Sequence, residues 1–198
     1  FGFNRTDWKT YLGDAFKGLL VTLVLGGPLA WAVLALMRGA GPQWWIWAWA
    51  LWFGFSLTMM LLYPLLIAPL FNKFTPLADE GLKARVEQLF QRAGFAAQGL
   101  FVMDAGRRSA HGNAYFTGLG AAKRVVLFDT LLQRLNPPEV EAVLAHELGH
   151  FKLRHVPKRL GIMALLTLAG FALLGYLSAQ PAFYAGLGVQ PNLLASND

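Results

Sequence analysis

The sequence predicts a mainly α-helical membrane protein in which transmembrane helices carry a small α+β unit. Three apolar stretches without charge reach about 20 residues, the length that crosses a bilayer as a helix. Between the second and third stretches, short strand and helix patterns alternate. That region ends in His146-Glu147-Leu148-Gly149-His150, two histidines four positions apart with a glutamate directly after the first.

The composition supports a membrane location for much of the chain. Of its 198 residues 56% are hydrophobic, above the roughly 45–50% of soluble domains. The sequence has no cysteine, which excludes disulfides and thiolate metal sites. It starts with phenylalanine and finishes in a polar segment, so we expect an excerpt of a longer protein.

The apolar stretches divide the chain. Residues 1–71 are expected to hold an N-terminal flank and two transmembrane helices, at about 18–37 and 43–67. Residues 158–198 are expected to hold a third, at about 160–180, and an external loop. Buried helices of a soluble protein are the alternative interpretation. A signal peptide does not fit the first stretch, because charged residues precede it and a second stretch follows after a short loop.

The placement of lysine and arginine predicts the orientation in the membrane. Thirteen of the seventeen basic residues lie within residues 68–160, and three more precede the first span. Basic segments stay on the cytoplasmic side, so we expect the N-terminal flank and residues 72–157 there. The composition, rich in Ala, Gly, Leu and Arg, favours a bacterial source and its inner membrane. The net charge of +6 then reflects orientation and contact with anionic lipid, and we expect no nucleic-acid partner.

Residues 72–157 are expected to form the α+β unit. An amphipathic helix is predicted over residues 77–94, where apolar residues recur at helical spacing and a glycine follows. Short strands are predicted over residues 100–103, 113–117 and 124–128, separated by turn residues. The last strand leads into the helix that carries the two histidines.

That helix is expected to begin at Asn136, a capping residue, with Pro137 in its first position, and to end at Pro157. His146 and His150 then lie on one face about one turn apart, so that both imidazoles can reach a single Zn²⁺. This H-E-x-x-H pattern is the zinc-protease signature, and it makes the α+β unit zincin-like. A surface helix with two ordinary histidines is the alternative.

The glutamate of the motif supplies the expected chemistry. Zinc lowers the pKa of its bound water to near 7, and the Glu147 carboxylate can take a proton from that water as it attacks a peptide carbonyl. A catalytic zinc needs three protein ligands. His155 is disfavoured as the third, because on one continuous helix it lies about 180° around from His146. The third ligand comes either from elsewhere in the fold or, as we favour, from beyond residue 198.

A sheet edge is the expected substrate-binding element, because a protease can hold its substrate extended by adding it to the edge as a strand. The segment Asn113-Ala114-Tyr115-Phe116 is the candidate, since nearby glycines permit close approach of another backbone. By its pattern alone, this segment is better interpreted as part of a structural hairpin.

Three blocks carry a family resemblance. They are Ile67–Leu77, then Ser109–Leu132 with His111 and Asn113–Phe116 inside it, and His146–Lys152 together with His155. They cover residues 64–156 almost continuously. In these blocks the sequence resembles the type I CAAX prenyl endopeptidases, integral-membrane zinc proteases that process farnesylated peptides.

The resemblance implies a zinc endopeptidase whose transmembrane helices surround a large intramembrane chamber. It implies one Zn²⁺ and a third ligand that is a glutamate on a later helix, which we expect beyond residue 198. It also favours a substrate-binding edge over a purely structural hairpin. The implied site residues are His146 and His150 as metal ligands, Glu147 as general base, and His111, Asn113, Ala114, Tyr115 and Phe116 in substrate binding.

The expected function is therefore hydrolysis of peptide bonds by an integral-membrane zinc metalloendopeptidase, with a peptide or prenylated peptide as substrate. A heat-shock-type membrane quality-control zinc protease is an alternative, although the block Pro69–Asn72 favours the prenyl-protease branch. A non-catalytic membrane scaffold with a structural zinc helix is another, but such a site has no need for Glu147. Bacteria generally lack protein prenylation, so a bacterial member is expected to cut other membrane peptides.

Overall fold

The computed structural model describes residues 2–118, 123–153 and 155–189. It divides into two units, Phe1–Leu19 with Met60–Val156 and Leu20–Met59 with Pro157–Asp198. The first unit holds the β-sheet and the H-E-x-x-H helix. The helices are α1 Trp8–Val21, α2 Gly27–Gly39, α3 Trp44–Leu62, α4 Ala68–Phe71, α5 Glu80–Ala93, α6 Asp129–Leu132, α7 Pro137–Lys152, α8 His155–Ser178 and α9 Pro181–Gly186. The strands are β1 Phe74–Pro76, β2 Gly99–Met103, β3 Ala114–Thr117 and β4 Arg124–Phe128.

Three helical stretches of the described chain are long and apolar enough to cross a membrane: Trp8–Gly39, Gly41–Phe71 and His155–Ser178. Each corresponds to one predicted span. The first begins earlier than predicted because Asp7 caps it, with its Oδ1 accepting a hydrogen bond from the backbone N–H of Thr10 at 2.7 Å. Residues 8–17, nearly three turns that contain Lys9, Asp14 and Lys17, thus precede the uncharged part of the helix.

A four-stranded mixed sheet lies at the centre of the first unit, in the order β1-β2-β4-β3. The pair β2/β4 is parallel, whereas β1/β2 and β3/β4 are antiparallel. All three strands predicted from the sequence are present. The strand β1 was not predicted; it is three residues long and contains Pro76, which confines it to an edge. On the other side of the sheet, β3 is the second edge strand.

The helices α5 and α7 pack with one face of the sheet into the main core. The Asp79 carboxylate caps α5, accepting a hydrogen bond from the N–H of Leu82 at 2.9 Å, and Gly94 ends it with a φ of 65°. The buried apolar side chains recur at helical spacing on both helices and alternate along the strands. They include Leu82, Val86 and Phe90 of α5, Val140, Leu144 and Leu148 of α7, and Leu100, Val125 and Leu127 of the sheet.

The sequence prediction was wrong about the end of the motif helix. The helix α7 ends at Lys152, and a new helix, α8, begins at His155, so that Pro157 lies in the first turn of α8. Proline is tolerated there, because the first turn of a helix needs no N–H donor. Within the predicted external loop, Pro181 likewise begins the short helix α9. The rest of that loop from residue 190 onward lies outside the described residues.

Candidate metal centre

A capping box fixes the start of α7. The backbone N–H of Glu139 donates to Asn136 Oδ1 at 3.1 Å, and the N–H of Asn136 donates to Glu139 Oε2 at 2.8 Å. From this start, the buried residues Leu144 and Leu148 face the core. The histidines of the motif, two residues beyond each of these leucines, are exposed as a result.

The two histidine rings of α7 approach each other as two ligands of one metal ion would. The Nε2 atoms of His146 and His150 lie 3.1 Å apart, and the ring planes cross at 88°. Two nitrogens bound to zinc at tetrahedral angles lie about 3.3 Å apart, given Zn–N bonds of about 2.0–2.1 Å. The donor type and spacing therefore fit zinc. In the described part of the chain, no group of three or more His, Cys, Asp or Glu side chains is arranged to hold a metal.

His155 lies against this pair, contrary to the expectation from a continuous helix. Its Nδ1 atom is 2.7 Å from Nδ1 of His150, the ring nitrogen that does not face His146. The break between α7 and α8 makes this contact possible. Sequence reasoning ran one helix on to Pro157 and so placed His155 on the wrong side.

Glu147 follows His146 directly on α7 and is half-buried. Its carboxylate forms no hydrogen bond or ion pair within the described residues, so both oxygens are available as proton acceptors. A carboxylate that directly follows a metal-binding histidine on the same helix is a candidate general base.

The candidate substrate-binding segment lies at the edge of the sheet and next to the motif helix. Strand β3 contacts α7, and its Ala114 and Phe116 contribute to the core that α7 shares. Tyr115 projects to the opposite face of the sheet, where it meets Phe128 at a ring distance of 6.2 Å. Burial raises the pKa of the Tyr115 hydroxyl above its usual value. Asn113 joins the edge to β4, because its carbonyl accepts a hydrogen bond from the N–H of Phe128.

Within the described residues, His111 forms no hydrogen bond or ring contact with the α7 histidines. Its ring stacks on Phe3 at 4.3 Å, and its carbonyl accepts a hydrogen bond from Thr130 Oγ1 at 2.6 Å. The Asp129 carboxylate supports the same loop by accepting the N–H of Gly106 at 2.8 Å. Sequence reasoning missed both contacts, although the block that carries the resemblance includes Asp129 and Thr130.

An ion pair ties the loop to the N-terminal helix. The Arg108 guanidinium donates to both oxygens of Asp14, at 2.6 and 2.9 Å, and to Asn72 Oδ1 at 3.0 Å. The hydrogen bonds to Asp14 raise the pKa of Arg108 above its already high value, so its charge is permanent. The residues between Arg108 and Asn113 are thereby anchored at their start.

The fold and the site define a class: a multi-span membrane protein with a metallopeptidase-type helix beside a sheet edge. Comparison with known families agrees. Residues 1–73 match the CAAX prenyl protease N-terminal model, described as five membrane helices, and residues 76–190 match peptidase family M48. The chain belongs to peptidase family M48, among the CAAX prenyl proteases.

Known relatives cover nearly all of the chain. It is 43% identical over 176 residues to the CAAX prenyl protease 1 homolog of Arabidopsis thaliana, covering 87% of this chain and 42% of that protein. The CAAX prenyl protease 1 of Saccharomyces cerevisiae is 36% identical over 95% of this chain and 42% of its own length. The crystal structure of S. mikatae Ste24p matches with a TM-score of 0.88 and 37% identity, over 93% of this chain and 43% of that one. The chain thus spans less than half the length of these relatives.

Proposed function

We propose that this protein is an integral-membrane zinc endopeptidase and that residues 72–157 supply most of its catalytic unit. The observation that carries the proposal is the 3.1 Å separation of the His146 and His150 Nε2 atoms on a helix that contacts an edge strand. Family membership supports it, since M48 is a family of peptidases. His146 and His150 would hold the metal, and the bound zinc would polarise the substrate carbonyl and acidify the attacking water.

The protein's own residues then complete hydrolysis. Glu147 takes the proton of the attacking water as the new C–O bond forms, and gives a proton to the amine as the peptide C–N bond breaks. Strand β3 would hold the substrate backbone extended through its outward hydrogen-bonding groups. For this contact with the substrate we propose four residues of the edge segment, Asn113, Ala114, Tyr115 and Phe116. We also propose His111, two positions before Asn113, as a substrate-binding residue.

We also propose a third zinc ligand, a glutamate beyond residue 198. Two histidines leave a catalytic zinc one protein ligand short. No further group of the described residues completes the set. The relatives are more than twice the length of this chain, which leaves ample sequence for the missing ligand.

For the substrate, we propose a prenylated peptide, supported by relatives whose names are CAAX prenyl protease. Membrane peptides without a prenyl group are the second candidate, and they are favoured if the composition reflects a bacterial source. We place the catalytic unit on the cytoplasmic side of the membrane, because this unit carries most of the basic residues. If the source is bacterial, the membrane is the inner membrane.

The test uses full-length protein in detergent and two peptides of identical sequence, one farnesylated and one not. Glu147→Gln should lower kcat at least about 100-fold, the usual contribution of a general base, while zinc remains bound. Glu87→Gln, a change of an exposed α5 residue, is the matched control and should leave cleavage unchanged. Undiminished cleavage by Glu147→Gln would refute the assignment of the base. Equal cleavage of both peptides would refute a requirement for the prenyl group and favour the second candidate.

A further inference from the structure

The two ring nitrogens of His150 have separate neighbours. Nε2 faces Nε2 of His146 at 3.1 Å, whereas Nδ1 lies 2.7 Å from Nδ1 of His155. Nδ1 and Nε2 are distinct positions of the imidazole, and the one that binds a metal must offer a lone pair. His155 therefore meets the nitrogen of His150 that is left over when Nε2 is a ligand.

If Nε2 of His150 binds a metal, the other ring nitrogen must carry the proton. A neutral imidazole has one N–H donor and one acceptor. With the Nε2 lone pair of His150 directed toward the metal position, its Nδ1 must carry the hydrogen and donate it to Nδ1 of His155. That distance is within the range of a good hydrogen bond. His155 then carries its own hydrogen on Nε2.

The break in the helix is what brings His155 to this place. On one continuous helix, a residue five positions after His150 would lie about 140° around the axis and could not touch its ring. Instead α7 ends at Lys152, with the N–H of Leu153 donating to the carbonyl of Gly149, and His155 is the first residue of α8. His150 and His155 both belong to the first unit, and they meet where α7 ends and α8 begins.

We propose that His155 is a positioning residue: it accepts a hydrogen bond from His150 and so holds His150 in the tautomer and ring orientation that present Nε2 to zinc. Metal-binding histidines generally need such a partner for their second nitrogen, usually a carboxylate, a carbonyl or water. In this protein the partner of the second nitrogen of His150 is another histidine, His155. The inference rests on the proposed function, because it concerns a residue that holds a metal ligand.

The test measures zinc affinity by chelator competition in full-length protein, independently of proteolysis. His155→Ala should weaken zinc binding by about 10- to 100-fold, as loss of a partner of a metal ligand does. His155→Asn should recover most of the affinity, because its side-chain oxygen can replace Nδ1 as acceptor. Lys158→Ala, an exposed change in the first turn of α8, is the control and should match wild type.

Substitution of cobalt for zinc supplies the second measurement. The visible spectrum of the cobalt form should stay the same in His155→Ala, because His155 is not a ligand, and should change in His146→Ala. Wild-type affinity in His155→Ala would overturn the inference. So would an altered cobalt spectrum without rescue by asparagine, which would make His155 a ligand itself. Wild-type protein that binds no zinc would instead refute the proposed function, and this inference with it.

Discussion

Replacement of Thr130 by valine tests how the loop before the edge strand is held. The Thr130 side chain is 2% exposed, and its hydroxyl donates to the carbonyl of His111 at 2.6 Å. Valine keeps the shape of the side chain and removes the donor, which leaves the His111 carbonyl without this partner. His111 is an exposed residue, so the loss of this hydrogen bond should cost about 0.5–1.5 kcal/mol. The loop before β3 should then open locally more often, because this hydrogen bond joins the loop to the start of α6.

Hydrogen exchange of the loop amides measures this cost directly. A loss of about 0.5–1.5 kcal/mol corresponds to about 2- to 12-fold faster exchange, at tenfold for each 1.4 kcal/mol. The amides to follow in full-length protein are those of Ser109, bonded to Ala105, and Ala110, bonded to Phe3. KM for the peptide should also rise in Thr130→Val, because the loop leads into β3. Thr130→Ser keeps the hydroxyl, and identical exchange and KM in the two variants would refute the reasoning.

Three further predictions concern packing, the ion pair and pH. Leu144→Ala empties a fully buried position between α7 and the sheet and should lower the free energy of unfolding by about 2–5 kcal/mol, whereas an unchanged denaturation midpoint would contradict the packing described. Arg108→Lys keeps the charge but loses the paired hydrogen bonds to Asp14, so it should lower the free energy of unfolding by about 1–2 kcal/mol. Arg108→Ala should lower it further. Equal stability of the two variants would contradict the contribution assigned to the charge of Arg108. Burial raises the pKa of Tyr115 in the folded protein, so as pH rises the unfolded chain loses the hydroxyl proton first, near pH 10.0. The free energy of unfolding of the wild type should therefore fall as pH rises above that value. In melting curves recorded over a pH series, Tyr115→Phe should lack the part of this fall that is due to Tyr115.

The spans, the core faces of α5 and α7, and three of the four strands could be predicted because each rests on a local pattern. Apolar runs of sufficient length, helical spacing and turn residues report directly on burial. Strand β1 could not be predicted in this way, because it is only three residues long and includes Pro76. It forms because β2 offers it an edge, which is information from the tertiary fold.

The candidate metal pair could be predicted, and its surroundings could not. The spacing of His146 and His150 determines their approach once a helix forms. The contact of His155 depends on a break after Lys152, whereas sequence reasoning ended the helix at Pro157 itself. Proline has no N–H for the carbonyl four residues earlier, that of Leu153, so the helix breaks before the proline is reached. The pairing of Arg108 with Asp14 joins residues 94 positions apart, and no local pattern reports such a contact.

X-ray absorption at the zinc edge of full-length protein tests the metal pair most directly. We expect one zinc per chain with two imidazole nitrogens at about 2.0–2.1 Å, and one imidazole fewer in His150→Ala. Zinc without histidine scattering, or an unchanged spectrum in His150→Ala, would contradict it.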